Sequence, residues 1–410
     1  MATIRPFRAV RPTRDKVNLV ASRSYLSYSD ETLKEKLDNN PFTFLHIINP
    51  DYKHKTKKYG TEKFNLVKQK FTNFNSEGTL SQDEKKSIYI YSQKKKNKTF
   101  TGIIAAASVD DYLNGNIKVH EQTITKREKI FKDYLQITGF NADPVLLSYS
   151  DNKNINLIVS NKMLERSEYE FTTTNKVCHK LWKIDDKQII NKIVSEFKNI
   201  EDIYIADGHH RSASSSLLCK NLRKENPNYN PEDNFNFFMS FLIPESQLNI
   251  INFNRLVKHT NGFTEQELIS KIEKSYSVKN KGENIYSPIL KDEISMYLEG
   301  KWYSLIAHSK KYNLTFESLD PSILSENILS PILGITDEKT DKNITFLDGT
   351  IPLLEIKSKV DSGEYKVAFI LKPIDIDSLK KVADNNEIMP PKSTYVEPKL
   401  RSGLTIYKLY

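Results

Sequence analysis

The stretch Ile203-Tyr204-Ile205-Ala206-Asp207-Gly208-His209-His210-Arg211-Ser212 carries most of the information in this chain. A β-favouring run, Ile-Tyr-Ile, meets Asp-Gly, and the residues that follow, Ser-Ala-Ser-Ser-Ser-Leu-Leu, are compatible with a helix. The segment 202–226 therefore reads as strand, tight turn, helix. Glycine permits the sharp turn and a close approach of the backbone to a ligand. The first N–H groups of the helix have no partner within it and lie at its positive end. An anion bound there gains those donors, and His209, His210, Arg211 and Ser212 add charge and hydrogen bonds. Such a turn is a phosphate cradle. The plainer alternative is an ordinary helix N-terminus capped by Asp207 with exposed basic residues. Two adjacent histidines point in different directions and have no ligand spacing around them, so the sequence argues against a metal held by protein side chains alone.

Two further segments contain chemistry-bearing residues. His120-Glu121-Gln122-Thr123 opens a helix-like stretch, and its carboxylate suits a general base, or simply a favourable charge at a helix start. Near the C-terminus, Met389-Pro390-Pro391-Lys392-Ser393-Thr394-Tyr395-Val396-Glu397-Pro398-Lys399 brackets Lys, Ser and Thr with prolines. The expectation is a stiff, extended clasp presenting Lys392, Ser393, Thr394 and Lys399 beside the Asp207–Arg211 turn.

The rest of the chain sets bounds. At 410 residues it is long for one domain and natural for two. The coarse elements are helices over 31–38, 61–74, 123–139, 264–276, 321–334 and 378–386, strands over 42–49, 235–244 and 363–373, and hairpins over 87–109 and 294–308. This order lacks strict βαβ alternation and predicts an α+β protein with mixed sheets. A soft boundary near residue 245 divides a first domain, 1–245, from a second α+β subdomain, 246–410. The longest apolar run, 237–243, is too short to span a bilayer, the N-terminus lacks a secretory h-region, and two cysteines read as reduced thiols; the expected location is the cytoplasm. The formal charge of +9 comes with Lys, Asn and Ile spread throughout. The run Lys94–Lys98 then reads as a solvated hairpin tip, and nucleic acid is not expected as a partner.

Taken together, these segments resemble the DUF1015 family of uncharacterised bacterial and archaeal proteins. The resemblance rests on Arg5-Pro6-Phe7-Arg8-Ala9-Val10-Arg11-Pro12, Val20-Ala21-Ser22, Asn40–His46, Thr101-Gly102-Ile103, His120–Thr123, Asn141–Val145, Asp207–Arg211, Asn254-Arg255-Leu256-Val257 and Pro391–Tyr395. Two positions depart from the family pattern. Arg23-Ser24 stands where two prolines are usual, and Gln122 stands where a lysine is usual. The Asp-Gly-His-His-Arg turn is also similar to the phosphate-binding element of the ParB/sulfiredoxin-like superfamily. That superfamily includes free-serine kinases with an upstream His-Glu pair.

This second resemblance implies a ParB/sulfiredoxin-like core and a nucleotide-dependent phosphotransferase acting on a small hydroxylated metabolite, free L-serine first. Glu121, beside His120, would be the base. Asp207 to Ser212 would hold the phosphates of ATP or ADP. Mg²⁺ would bridge those phosphates with Asp207 in its outer shell, and Lys392, Ser393, Thr394, Lys399 and Arg255 would serve as clasp or substrate contacts. Two rivals are a ParB-like nucleotide switch that turns over no metabolite and a metal-dependent hydrolase using His209 and His210.

Overall fold

The computed structural model describes residues 2–53, 56–308 and 314–410. They form two compact units. The first comprises residues up to Val119, Thr123–Leu248 and Pro398–Tyr410; the second comprises His120–Gln122 and Asn249–Glu397. A single cut near residue 245 therefore does not describe the chain. The C-terminal segment returns to the first unit, where Tyr407–Lys408 pairs antiparallel with Phe140–Asn141. His120 and Glu121, expected in the first domain, belong to the second unit, where the N–H of Met389 donates to the His120 carbonyl at 2.9 Å.

A nine-stranded mixed sheet organises the first unit. Its order runs Ile117–Lys118, Ile203–Asp207, Val145–Tyr149, Phe237–Pro244, Lys98–Ser108, Ile88–Lys95, Val177–Ile184, Tyr169–Thr172, with Ile4–Arg5 also paired to Lys98–Ser108. Strand Phe237–Pro244 is buried at every position, as a near-continuous apolar run requires when both faces of a central strand are covered. The helix Lys187–Lys198 starts at Asp186, whose carboxylate accepts the N–H groups of Gln188 and Ile189. It buries Ile190, Ile193 and Phe197, spaced to share one helical face. These join Ile90, Ile103, Leu147, Ile205 and Leu242 in one core, each fully buried side chain contributing about 1.5–3 kcal/mol. The hairpin over 88–108 turns at exposed Lys96, in the left-handed region at φ 53°.

One predicted strand is a helix. Residues 42–49 contain the helical turn Leu45–Ile48, preceded by Asn40, whose side-chain oxygen accepts the Phe42 N–H at 3.1 Å. Phe44 and Ile47, three apart, enter the same core beside Val67 and Phe71. A short apolar run suits either periodicity, and here packing from one side selects the helical one.

The second unit is built on a six-stranded, wholly antiparallel sheet ordered Tyr276–Gly282, Lys301–Ala307, Glu293–Leu298, Val367–Ile370, Phe253–Val257, Ile344–Asp348. One core contains Leu268, Ile272, Leu324 and Ile328; another contains Trp302, Ile356 and Val360. The helix Glu265–Ile272 begins with a capping box between Thr264 and Glu267. Residues 321–334, expected as one helix, divide into Asp320–Leu324 and a wider π turn, Ser325–Leu329, before Gly334 closes the segment at φ 73°. The π turn brings the Ser325 hydroxyl onto the Glu338 carboxylate. Glu293 is buried and accepts from Tyr286 Oη and from the N–H groups of Ile289 and Leu290, at 2.6, 2.7 and 2.8 Å. Burial pushes its carboxyl up, but these donors and the Ser304 hydroxyl outweigh it and hold the pKa down, at about 2. The loop 286–290 is thus fastened to the sheet.

Candidate functional site

The strand Ile203–Asp207 runs antiparallel to Val145–Tyr149 until its register slips between Ile205 and Asp207. The slip is a bulge, which re-aims the side chain that follows it. Gly208 caps the helix His209–Glu225 at φ 107°, ψ 27°. Only glycine adopts that conformation without strain, and a Cβ there would lie 2.8 Å from Arg211 Nε and Nη2. The Arg211 guanidinium therefore lies against the bare glycine at the helix N-terminus. Gly208→Ala is expected to cost about 1–2 kcal/mol, the penalty for a left-handed non-glycine residue. Urea denaturation of the two chains would measure it.

Asp207 does not cap the helix; no side chain does. Its Oδ2 stands 3.5 Å from Arg211 Nη2 and 3.5 Å from Lys399 Nζ. Burial pushes the Asp207 carboxyl up, yet the charges of Lys399 and Arg211 outweigh it and hold it below the usual carboxylate range. Its side chain is 44% exposed and both contacts are long, so each pair is worth no more than about 1 kcal/mol and can be exchanged for a ligand. A carboxyl whose folded pKa is lowered stabilises the fold above its unfolded value of 3.8 and loses that contribution as pH falls through the folded value. The stability gap between the wild-type chain and Asp207→Asn is therefore expected to close on acidification below 3.8, read by denaturation across pH.

The Lys399 ammonium lies at the turn, and its carbonyl accepts from Gln93 Nε2 at 3.2 Å. Ser212 is buried, with Oγ 3.4 Å from the Gly208 carbonyl; Ser214, Ser215 and Ser216 are buried as well. His209 is buried. His210 is half-buried, and burial together with Arg127 lowers its pKa, Glu128 opposing. It is neutral at neutral pH and offers a hydrogen bond rather than the charge expected of it. Arg127 and Glu128 lie on the helix Thr125–Thr138.

The other predicted residues lie in the second unit. His120 is completely buried, and burial lowers its pKa to about 4. Glu121 is exposed. Arg255 is sealed inside the sheet layer: Nη1 donates to the Phe253 carbonyl at 2.6 Å, Nη2 to the Lys392 carbonyl at 3.3 Å, and Glu338 lies 3.9 Å away. Burial lowers its pKa to about 10, against the pull of Glu338 and Asp320. The proline-bracketed segment is not uniformly extended. Lys392 adopts φ 57°, its ammonium sits over the Phe253 ring, and buried Ser393 donates to the Pro390 carbonyl at 2.7 Å. Only Tyr395–Glu397 is a strand, paired with Asn249–Ile251; Thr394 precedes it.

Among the described residues, no helix is long and apolar enough to cross a membrane, and Cys178 and Cys219 form no disulfide. No curated protein matches the chain. Several solved structures resemble it distantly, three of them as follows. A free serine kinase in complex with AMP is 13% identical, with 75% of this chain and 92% of that chain covered and a TM-score of 0.35. SbnI with C-terminal truncation, from Staphylococcus aureus, is 12% identical over 73% and 85%, with a TM-score of 0.38. A conserved hypothetical protein from Pyrococcus furiosus is 14% identical over 77% and 97%, with a TM-score of 0.34. The family described as "protein of unknown function (DUF1015)" matches residues 4–322, most of the chain, and this protein belongs to it.

Proposed function

We propose that this protein is a nucleotide-dependent phosphotransferase acting on a small hydroxylated metabolite, with free L-serine as the first acceptor to test. The observation that carries the reading is the turn at Gly208. There a helix N-terminus, the Arg211 guanidinium and the Lys399 ammonium meet at one half-exposed carboxylate. Phosphoryl transfer depends on positioning and charge neutralisation more than on covalent chemistry, and this arrangement offers both. Phosphate oxygens would replace Asp207 as the partner of Arg211 and Lys399 and lie at the positive end of the helix. A ParB/sulfiredoxin-like arrangement of this core goes with that reading.

In the reaction, the acceptor hydroxyl oxygen forms the new bond to phosphorus, its proton passes to Glu121, and the bond to the departing nucleotide breaks. Asp207 is ionised and half-exposed, which suits outer-shell contact with a hydrated Mg²⁺. That ion would neutralise phosphate charge. His120, neutral at pH 7, carries no charge into the step. The order of His120-Glu121 before Asp207–Arg211 supports the choice of base and of serine.

The test is a screen of ATP and ADP against serine and related hydroxylated metabolites, with mass detection of phosphorylated product. Product from any pair supports the reading. Nucleotide binding without product from any acceptor would favour a nucleotide switch, and the absence of nucleotide binding would remove the phosphate-cradle assignment.

A further inference from the structure

We propose that the second unit contains its own binding site for a small oxyanion, a carboxylate- or phosphate-bearing metabolite, in a cavity of about 330 Å³. The cavity is built from residues of the second unit alone, so the inference stands apart from the reading of Asp207–Arg211. Asn252, Asn254, Ser287, Thr350, Leu353 and Lys372 define it.

The sequence Asn252-Phe253-Asn254-Arg255-Leu256-Val257 places amides in a run that otherwise reads as a strand. Asn254 is 1% exposed, and Asn252 is 8% exposed. Asn252 Nδ2 donates to Asn254 Oδ1 at 2.5 Å. Among the described residues, the Asn254 side-chain N–H₂ has no hydrogen-bond partner. Turning both amides over only moves the unmatched N–H₂ to the other side chain. Asn254 lines the cavity, so this N–H₂ is a donor for whatever occupies it.

A second, independent set of donors lies at the same cavity. The helix Leu353–Asp361 follows Pro352, which has no capping side chain. The Glu355 and Ile356 N–H groups donate to the Pro352 carbonyl, while those of Leu353 and Leu354 have no recorded partner among the described residues. The helix therefore presents its positive end, uncapped, to the cavity wall. Lys372 spends one donor on the Ile289 carbonyl at 2.8 Å and keeps two at the rim. Among the described residues, no carboxylate lines the cavity. Exposed Glu355 stands in the first turn of that helix but does not line the cavity; the amide donors, the Lys372 cation and the helix N-terminus that do line it favour an anion.

The site is also pre-formed. Glu293 fixes the loop that carries Ser287. Gly349 lets its loop approach so closely that a Cβ would fall 2.2 Å from Asn252 Oδ1. The volume lies at the lower end of the range for small-molecule sites, about 300–1,000 Å³, and so suits a small metabolite rather than a nucleotide.

Calorimetric titration of the full chain with inorganic phosphate and with succinate tests this. The variants are Lys372→Glu, Gly349→Ala and, to silence the turn in the first unit, Arg211→Ala. At least one probe is expected to bind saturably. Lys372→Glu, at an exposed position, should weaken that binding about tenfold or more by reversing a charge at the rim. Gly349→Ala should weaken it by displacing the Asn252 amide, and Arg211→Ala should leave it intact. Stronger binding of succinate assigns a carboxylate ligand; stronger binding of phosphate assigns a phosphate. The proposal is overturned if neither probe binds, if Lys372→Glu and Gly349→Ala both bind as wild type, or if Arg211→Ala abolishes the binding.

Discussion

Replacing Glu121 by Gln is expected to lower turnover by about 10²–10⁴-fold, the usual contribution of a positioned general base. The substitution keeps size and hydrogen-bonding shape and removes only basicity. The affected interaction operates as the acceptor hydroxyl loses its proton, so nucleotide affinity should change little and kcat should carry the loss. The neighbouring histidine offers no substitute: His120 is fully buried, with a pKa lowered to about 4. Steady-state kinetics alongside nucleotide titration separate the outcomes. An unchanged rate ends Glu121's part as base. A lost nucleotide affinity at normal fold stability makes it a ligand-holding residue instead.

The turn that organises this prediction was legible because its signals agree. A β-branched run, Asp-Gly and a helix-compatible tail all place a break at residue 208, and the structure puts Gly208 there at φ 107°. The hairpins, with turns at Lys96-Asn97 and Glu299-Gly300, were legible on the same grounds. Where one signal stood alone, it misled. The apolar run over 42–49 fits two periodicities, and core packing through Phe44 and Ile47 decided it. The prolines at 390, 391 and 398 suggested stiffness throughout, but a Pro fixes its own φ and restrains only the residue before it. Lys392, after the second of them, turned left-handed.

Long-range facts were harder to read. Lys399 and Asp207 meet from distant parts of the chain, and the pKa of His210 is lowered by burial first and by Arg127 of another helix second. The cavity in the second unit had a signal that went unused: Asn252, Asn254 and Arg255 interrupt an apolar strand, and buried polar groups in such a place require partners. Arg255 finds them for Nη1 and Nη2 in carbonyls of its own unit, though not for Nε; the Asn254 amide likewise does so only in part.

Arg211→Ala should weaken nucleotide binding by about 1.5–3 kcal/mol, the scale of a hydrogen bond to a charged group. The guanidinium lies against Gly208, and among the described residues its Nε has no hydrogen-bond partner. Its contact with Asp207 is long and half-exposed. One donor is thus unspent and another weakly held at the helix N-terminus, which leaves both for a phosphate. Truncation removes them without emptying a core site, so the fold should be nearly unaffected. Arg211→Lys provides the sharper control. It keeps the charge and loses the planar fork, so bidentate recognition predicts that lysine recovers only part of the affinity. Full recovery would mean that charge alone matters at this position. An Arg211→Ala chain that binds nucleotide as tightly as wild type would take Arg211 out of the site and leave the positive charge there to Lys399 and the helix N-terminus.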